Sequence, residues 1–170
     1  MTDRIIENAS LSDAEAISAL FARSYSQLLK NDYAPDVLAR AMPFLSFARP
    51  ELISSGSYYV VKDASTRVIA AGGWTATRPG APDEPVKPGW VHVRHFAVDP
   101  DFTGQGLGKM LFNHCVRDAK ASYGATRFDA YATLSARKFY EKLGFTLIGP
   151  IEVSFGPDVT FPSLHMTCDV

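Results

Sequence analysis

The sequence predicts an α/β fold, and three observations carry that expectation. Strand-like and helix-like patterns alternate along the 170 residues. The stretch 90–108, WVHVRHFAVDPDFTGQGLG, runs from an extended apolar strand through a turn at Asp99 and Pro100 into a glycine-rich helix start. With 46% hydrophobic and 21% charged residues, the chain suits one well-buried core and is too short for two ordinary domains, so a single domain over residues 1–170 is expected.

Each element has its own warrant. Ile5 and Ile6 belong to a short opening strand. Ser12 and Glu15 have capping-box spacing ahead of a helix that carries Ile17, Leu20, Phe21, Tyr25 and Leu28 at helical intervals. Pro35 suits the first turn of a second helix through Val37, Leu38 and Met42, where its missing N–H costs nothing; Pro43 and Pro50 are expected to break the region into short pieces. Residues 57–63 and 68–77 read as hairpin strands joined at Ala64, Ser65 and Thr66. Residues 78–89 hold four prolines and almost no apolar side chain, so they form a loop, either a solvated connection or a flexible wall beside a substrate. A central strand through Val98 comes next. A helix from about Gly106 to Tyr123 then turns Leu107, Leu111, Cys115 and Ala119 to one stripe and stops at Gly124. Residues 127–132 form a strand, 135–143 a helix stopped by Gly144, and 145–153 and 161–169 a final pair of strands.

Composition narrows the function. A net charge of −1 without any Lys/Arg run argues against nucleic acid or an anionic membrane as partner. Asp3, Arg4 and Glu7 stand where a leader would be apolar, and no apolar run approaches the roughly twenty residues of a membrane span, so a cytoplasmic location is expected. Cys115 and Cys168 have neither metal-ligand spacing nor a disulfide framework, and no metal is expected.

The chemistry concentrates at Gly104, Gly106 and Gly108. Alternate glycines at a helix start let the main chain turn its N–H groups toward an anion, so an anionic cofactor is the first inference. A P-loop would need glycine at Thr103 and a hydroxyl residue at Met110; a dinucleotide fingerprint would need glycine at Lys109. Asp129 on the following strand reads as a solvated strand residue rather than a ribose ligand.

Thr103-Gly104-Gln105-Gly106-Leu107-Gly108 resembles the acetyl-CoA loop of the GNAT N-acetyltransferase family, which reads Gln or Arg, two residues, Gly, one residue, then Gly or Ala; Thr103 replaces the usual long side chain. A second block, SARKFYEKLGF over 135–145, is similar to the helix, tyrosine and Gly-Phe turn that close the family's cofactor groove. The resemblance covers roughly residues 90–148. It implies the acyl-CoA N-acyltransferase fold, a mixed central sheet of about seven strands flanked by about four helices. It also implies transfer of an acetyl group from acetyl-CoA to a primary amine, of a small molecule or a peptide, by direct attack in a ternary complex. Homodimers are common in the family.

The resemblance further assigns roles. Backbone groups of Phe96 and Val98 would pair with the pantetheine arm in a slot opened by strand splay. Thr103, Gly104, Gln105, Gly106, Gly108 and Lys109 would hold the cofactor's phosphates, and Thr133 stands where the family often has a cofactor-contacting Asn. Tyr140 would be the general acid, since a phenol with an unperturbed pKa of about 10 stays protonated at neutral pH. His92, four residues before Phe96, would be the base, acting through water. Arg94 is an alternative at that end, orienting an acidic or polar acceptor. Simple alternation puts His92, Arg94, Phe96 and Val98 on one side of their strand and His95 on the other unless a bulge intervenes, with an acceptor groove between Trp74, His92 and Tyr131. His114 and His165 are read as satisfying local hydrogen bonds. The competing reading is a degenerate acyl-CoA-binding sensor module, motivated by Thr103 and Thr133.

Overall fold

Seven segments rich in β-branched, aromatic and alanine residues form one sheet in a computed structural model that describes residues 4–170. Met1, Thr2 and Asp3, part of the stretch whose charges argue against a leader, lie outside the described residues. The strands are β1 (Ile6–Asn8), β2 (Tyr58–Lys62), β3 (Val68–Thr75), β4 (Trp90–Val98), β5 (Arg127–Thr133), β6 (Thr146–Gly156) and β7 (Val159–Asp169). Their spatial order is β1-β2-β3-β4-β5-β7-β6. Every neighbouring pair is antiparallel except β4 and β5, which run parallel and are joined by a crossover helix. The helices are α1 (Ala14–Leu28), α2 (Pro35–Leu45), α3 (Pro50–Ile53), α4 (Leu107–Tyr123) and α5 (Arg137–Lys142). This is the mixed sheet and the element order expected from the sequence, with the short α3 added. No helix among the described residues is long and apolar enough to cross a membrane.

Two apolar layers cover the sheet. On one face Leu107, Leu111, Cys115 and Ala119 of α4 pack with Val91, Val93 and Phe128, as the stripe predicts. On the other face Ile17, Leu20 and Phe21 of α1, Ala41 and Leu45 of α2 and Ile53 of α3 cover Tyr58, Val60 and Ala97. Gly124 ends α4 in the left-handed region, at φ 71°.

Several local expectations shift. A 3-10 turn, Leu11–Asp13, precedes α1, so the reciprocal cap uses Ser10 and Asp13 instead of Ser12 and Glu15: the Ser10 N–H donates to the Asp13 carboxylate at 2.9 Å. Leu28 is exposed where it lines a cavity, and the buried stripe ends instead on Leu29, the C-cap of α1. Pro43 does not break the chain. It sits inside α2 on the exposed side, as does Ala39, whose carbonyl it leaves without its helical donor, and only Pro50 starts a new helix. The last helix begins at Arg137, after a 3-10 turn over Leu134–Ala136.

The largest departure is on β4. The register against β3 shifts between Ala71 and Gly73, and His95 takes a left-handed backbone at φ 50°. The extra residue inverts the alternation that sequence spacing predicts. Phe96 and Val98 pack toward α4, whereas Ala97 faces α1 and α2. His95 stacks on Phe21 at 3.9 Å and its Nε2 lies 2.9 Å from the Leu45 carbonyl, while Arg94 donates to Thr75 Oγ1 at 2.9 Å. Hydroxyls hold the bulge: Tyr58 donates to the His95 carbonyl at 2.7 Å and Tyr25 to the Phe96 carbonyl at 3.1 Å.

Candidate active site

β4 and β5 pair only over Trp90–His92 against Arg127–Asp129 and then separate, so the backbone of residues 93–98 has no strand partner on the β5 side. The gap opens into a continuous cavity of about 1190 Å³ that runs from the glycine loop, across the sheet between the two strands, to the helical cap formed by α1, α2 and α3.

At the loop end, Gly104 and Gly106 have φ 74° and 79°, a region in which an L side chain would be strained. Gly106 caps α4, and Met110 is the first residue whose N–H bonds back, to the Gly106 carbonyl at 2.9 Å. The amides of Leu107, Gly108 and Lys109 are therefore free to bind an anion, reinforced by the helix dipole. Gly108 serves a second need, because a Cβ there would stand 2.7 Å from the Phe139 ring of α5. Asp99, read from the sequence only as part of a turn, anchors the loop. It is 1% exposed, accepts from the Asp101 N–H at 3.0 Å, and pairs with Arg23 at 3.0 Å and with Arg67. Burial alone would raise its carboxyl pKa, but the Asp101 amide and the two guanidinium groups pull it below the usual carboxylate range.

The predicted loop residues divide. Thr103, Gly104, Gly106, Gly108 and Lys109 line the cavity, and Thr103 Oγ1 donates to the Pro100 carbonyl at 3.1 Å. Gln105 does not line it: its side-chain oxygen accepts from Arg4 on the outer surface. Phe96, Val98 and Thr133 line the middle of the cavity. The Ser135 hydroxyl, also lining it, is buried with no hydrogen-bond partner among the described residues, an unmet polar group of the kind a ligand satisfies. Free amides, an unpaired strand edge and this orphaned hydroxyl together fit the phosphates and amide-bearing arm of acetyl-CoA.

Tyr140 lines the same cavity from α5, 6% exposed, wedged edge-on between Phe139 and Phe145 at 5.1 Å from each ring. Burial, and then the neighbouring Cys115, push its phenol pKa far above the ordinary value.

His92 sits elsewhere. It does not line the cavity; its ring lies 6.4 Å from that of Tyr131, which does. Burial lowers its pKa, Asp129 opposes this, and Arg94, Arg78 and His165 lower it further, so the ring is neutral at pH 7. Asp129 is buried rather than solvated, held by Arg127 at 2.9 Å, Thr167 at 2.9 Å and His165 at 3.3 Å. Trp74, expected beside His92 and Tyr131 in a groove, does not line the cavity: it packs under α4, its indole N–H donating to Asp118 at 2.8 Å. The proline-rich segment does reach the cavity, through Arg78, Pro79, Gly80 and Pro82.

Comparison with known proteins agrees with this geometry. Residues 54–147 match the family described as acetyltransferase (GNAT) domain. Among curated proteins, the chain is 39% identical over 62 residues to a peptidyl-lysine N-acetyltransferase, YjaB, of Salmonella typhimurium, covering 36% of this chain and 41% of that one. It is also 39% identical over 61 residues to elongator complex protein 3 of Schizosaccharomyces pombe, covering 35% of this chain and 10% of that protein. The chain thus spans less than half the length of the curated relatives it matches. Among solved structures, a GCN5-related N-acetyltransferase of Rhodopseudomonas palustris superposes with a TM-score of 0.73 at 18% identity, covering 100% of this chain and 98% of that one. A PaiA N-acetyltransferase of Thermoplasma acidophilum, in complex with coenzyme A, gives 0.73 at 13% identity, covering 99% and 100%. Since the family match takes in more than half of the chain, including the glycine loop, the splayed strands and Tyr140, the chain belongs to the GNAT acetyltransferase family.

Proposed function

We propose that this protein is an acetyl-CoA-dependent N-acetyltransferase that moves an acetyl group to a primary amine by direct attack within a ternary complex. The observation that carries this reading is the slot between β4 and β5, with free loop amides at one end and a buried tyrosine on its wall. The unpaired backbone around Phe96 and Val98 holds the pantetheine arm as an added strand. The amides of residues 106–109 and the Lys109 ammonium take the phosphates, and the Thr133 and Ser135 hydroxyls bond to the arm.

Acetyl-CoA supplies a thioester whose carbonyl carbon accepts the amine and whose thiolate leaves. Tyr140, kept protonated by burial, donates its hydroxyl proton to the departing sulfur as the carbon–sulfur bond breaks. His92, kept neutral by burial, takes the proton lost by the attacking nitrogen, relayed past Tyr131 by water.

The test has two parts. Acetyl-CoA at about a hundred times its dissociation constant should stabilise the fold by about 2.7 kcal/mol, with nothing comparable from ATP or NAD. Release of free CoA thiol with an amine panel then separates a transferase from a sensor that binds without turnover. A melt unmoved by saturating acetyl-CoA defeats the reading altogether.

A further inference from the structure

The cap end of the cavity is lined by Arg49, Arg78 and Arg94 and by one carboxylate, Glu51. Arg78 is engaged already, pairing with Glu84 and donating to the Tyr131 hydroxyl at 3.3 Å. Arg94 is different. Its guanidinium is largely buried beneath the cap, its hydrogen bond goes to the neutral Thr75 hydroxyl, and among the described residues no carboxylate comes within ion-pair distance of it. Arg49, the nearby cation, has the same sign and adds to the cost of burial, opposed only by the Tyr58 phenol. A buried charge without a counter-charge is costly, and an anionic ligand in the cavity would supply the missing partner.

Ser24, Ser55 and Thr77 add hydroxyls to this end, and one wall of it is apolar. Phe44 of α2 and Phe155 of β6 stack with centroids 5.6 Å apart, and Leu28 and Leu45 continue the wall beside them. A guanidinium lining the chamber opposite an apolar wall suits a molecule with an anionic end and an apolar body.

We propose that the acetyl acceptor is an amine that also carries a carboxylate, of the amino-acid type with an apolar or aromatic side chain. Arg94 takes the carboxylate through its planar fork, the wall of Phe44 and Phe155 takes the side chain, and the amine is left facing the slot beside Tyr140. Arg49 adds attraction at the entrance. Polyamines, which would bring further positive charge to Arg94 and Arg49, are excluded acceptors.

This inference rests on the transferase reading, and one experiment separates their failures. CoA-thiol release is measured with matched pairs that differ only in the carboxylate: L-phenylalanine with phenethylamine, L-tryptophan with tryptamine, L-leucine with isoamylamine, and spermidine alone. Acetyl-CoA binding is followed in the same samples by calorimetry. At least one amino acid should exceed its decarboxylated partner in kcat/KM by on the order of a hundredfold, the range of a charged hydrogen bond. In Arg94→Gln that ratio should fall toward one, chiefly through KM of the amino acid, and Arg94→Lys should restore part of it. A purely structural role for Arg94 would depress both members of a pair and keep their ratio, which overturns the proposal. So does transfer to the decarboxylated amines or to spermidine at equal or higher efficiency, or transfer to these amines and to no amino acid. Absence of acetyl-CoA binding by the unaltered protein, or binding without thiol release from any of these amines, defeats the transferase reading instead.

Discussion

The loop end of the cavity takes most of its groups from the continuous stretch 96–109, whereas the cap end draws Leu28 from α1, Phe44 from α2, Arg94 from β4 and Phe155 from β6. At the loop end the groups offered to a ligand are backbone amides, and the side chains that matter are chiefly those that are absent, at Gly104, Gly106 and Gly108. At the cap end the groups are side chains brought together from positions more than a hundred residues apart. A backbone site needs only a local conformation. A side-chain site needs the whole sheet to be correctly assembled, which is why one end is written in a motif and the other is not.

If that contrast is sound, the loop end should fail completely at a single conformational fault. Gly106→Val forces a β-branched residue to φ 79° and should abolish the stabilisation by acetyl-CoA in a thermal melt, while the protein still folds. A full shift in that variant would break the comparison at its strongest point.

The middle of the slot should fail in chemistry rather than in binding. Tyr140→Phe keeps the ring between Phe139 and Phe145 and removes only the hydroxyl, so acetyl-CoA affinity should hold while single-turnover transfer falls by roughly a hundredfold to ten-thousandfold, or about 3 to 5 kcal/mol of barrier. The raised phenol pKa also predicts that the alkaline limb of the wild-type rate lies above pH 10.

The cap end should instead be sensitive to acid. His95 is held at a pKa of about 4 by burial, against an ordinary value of 6.5, so the unfolded chain binds its proton first as pH falls. The stability contribution is therefore complete above pH 6.5 and is lost progressively down to pH 4, by up to about 3 kcal/mol. Denaturant unfolding at pH 7 and pH 4.5 checks this. His95→Asn, which tolerates the same backbone, should flatten the dependence.

Asp99 sharpens the view of the loop as a supported backbone. Asp99→Ala leaves Arg23 and Arg67 without their shared carboxylate and frees the Asp101 amide, and should cost about 2 kcal/mol in urea unfolding, limited because both arginines are partly solvated. Acetyl-CoA affinity should fall with it. The smallest effect is expected at His92, which stands back from the cavity: His92→Ala should reduce transfer several-fold, mainly at low pH where the acceptor is most protonated, with partial recovery at high pH. An unchanged pH profile would return the base role to bulk water.

The helix that starts at Gly106 and ends at Gly124, the buried stripe through Leu107, Leu111, Cys115 and Ala119, and the order of the elements were determined by the sequence alone. Period, caps and turn residues act over a few neighbours, and their meaning does not depend on what lies across the sheet. The cap of α1 was legible in kind and misplaced by two residues, since both Ser10 and Ser12 have an acidic partner three positions on. The side of β4 on which Arg94 and Phe96 lie was decided only by the tertiary structure. His95 enters the left-handed region with no glycine to announce it, its carbonyl and that of Phe96 held by Tyr58 and Tyr25 from elements far away in the chain. Because side chains on a strand alternate with period two, that one bulge sends Phe96 and Val98 toward α4 and leaves Arg94 under the cap. The same long-range packing decided that Asp129 is buried and that Trp74 lies beneath α4, because burial is a property of what an element meets and not of the element itself.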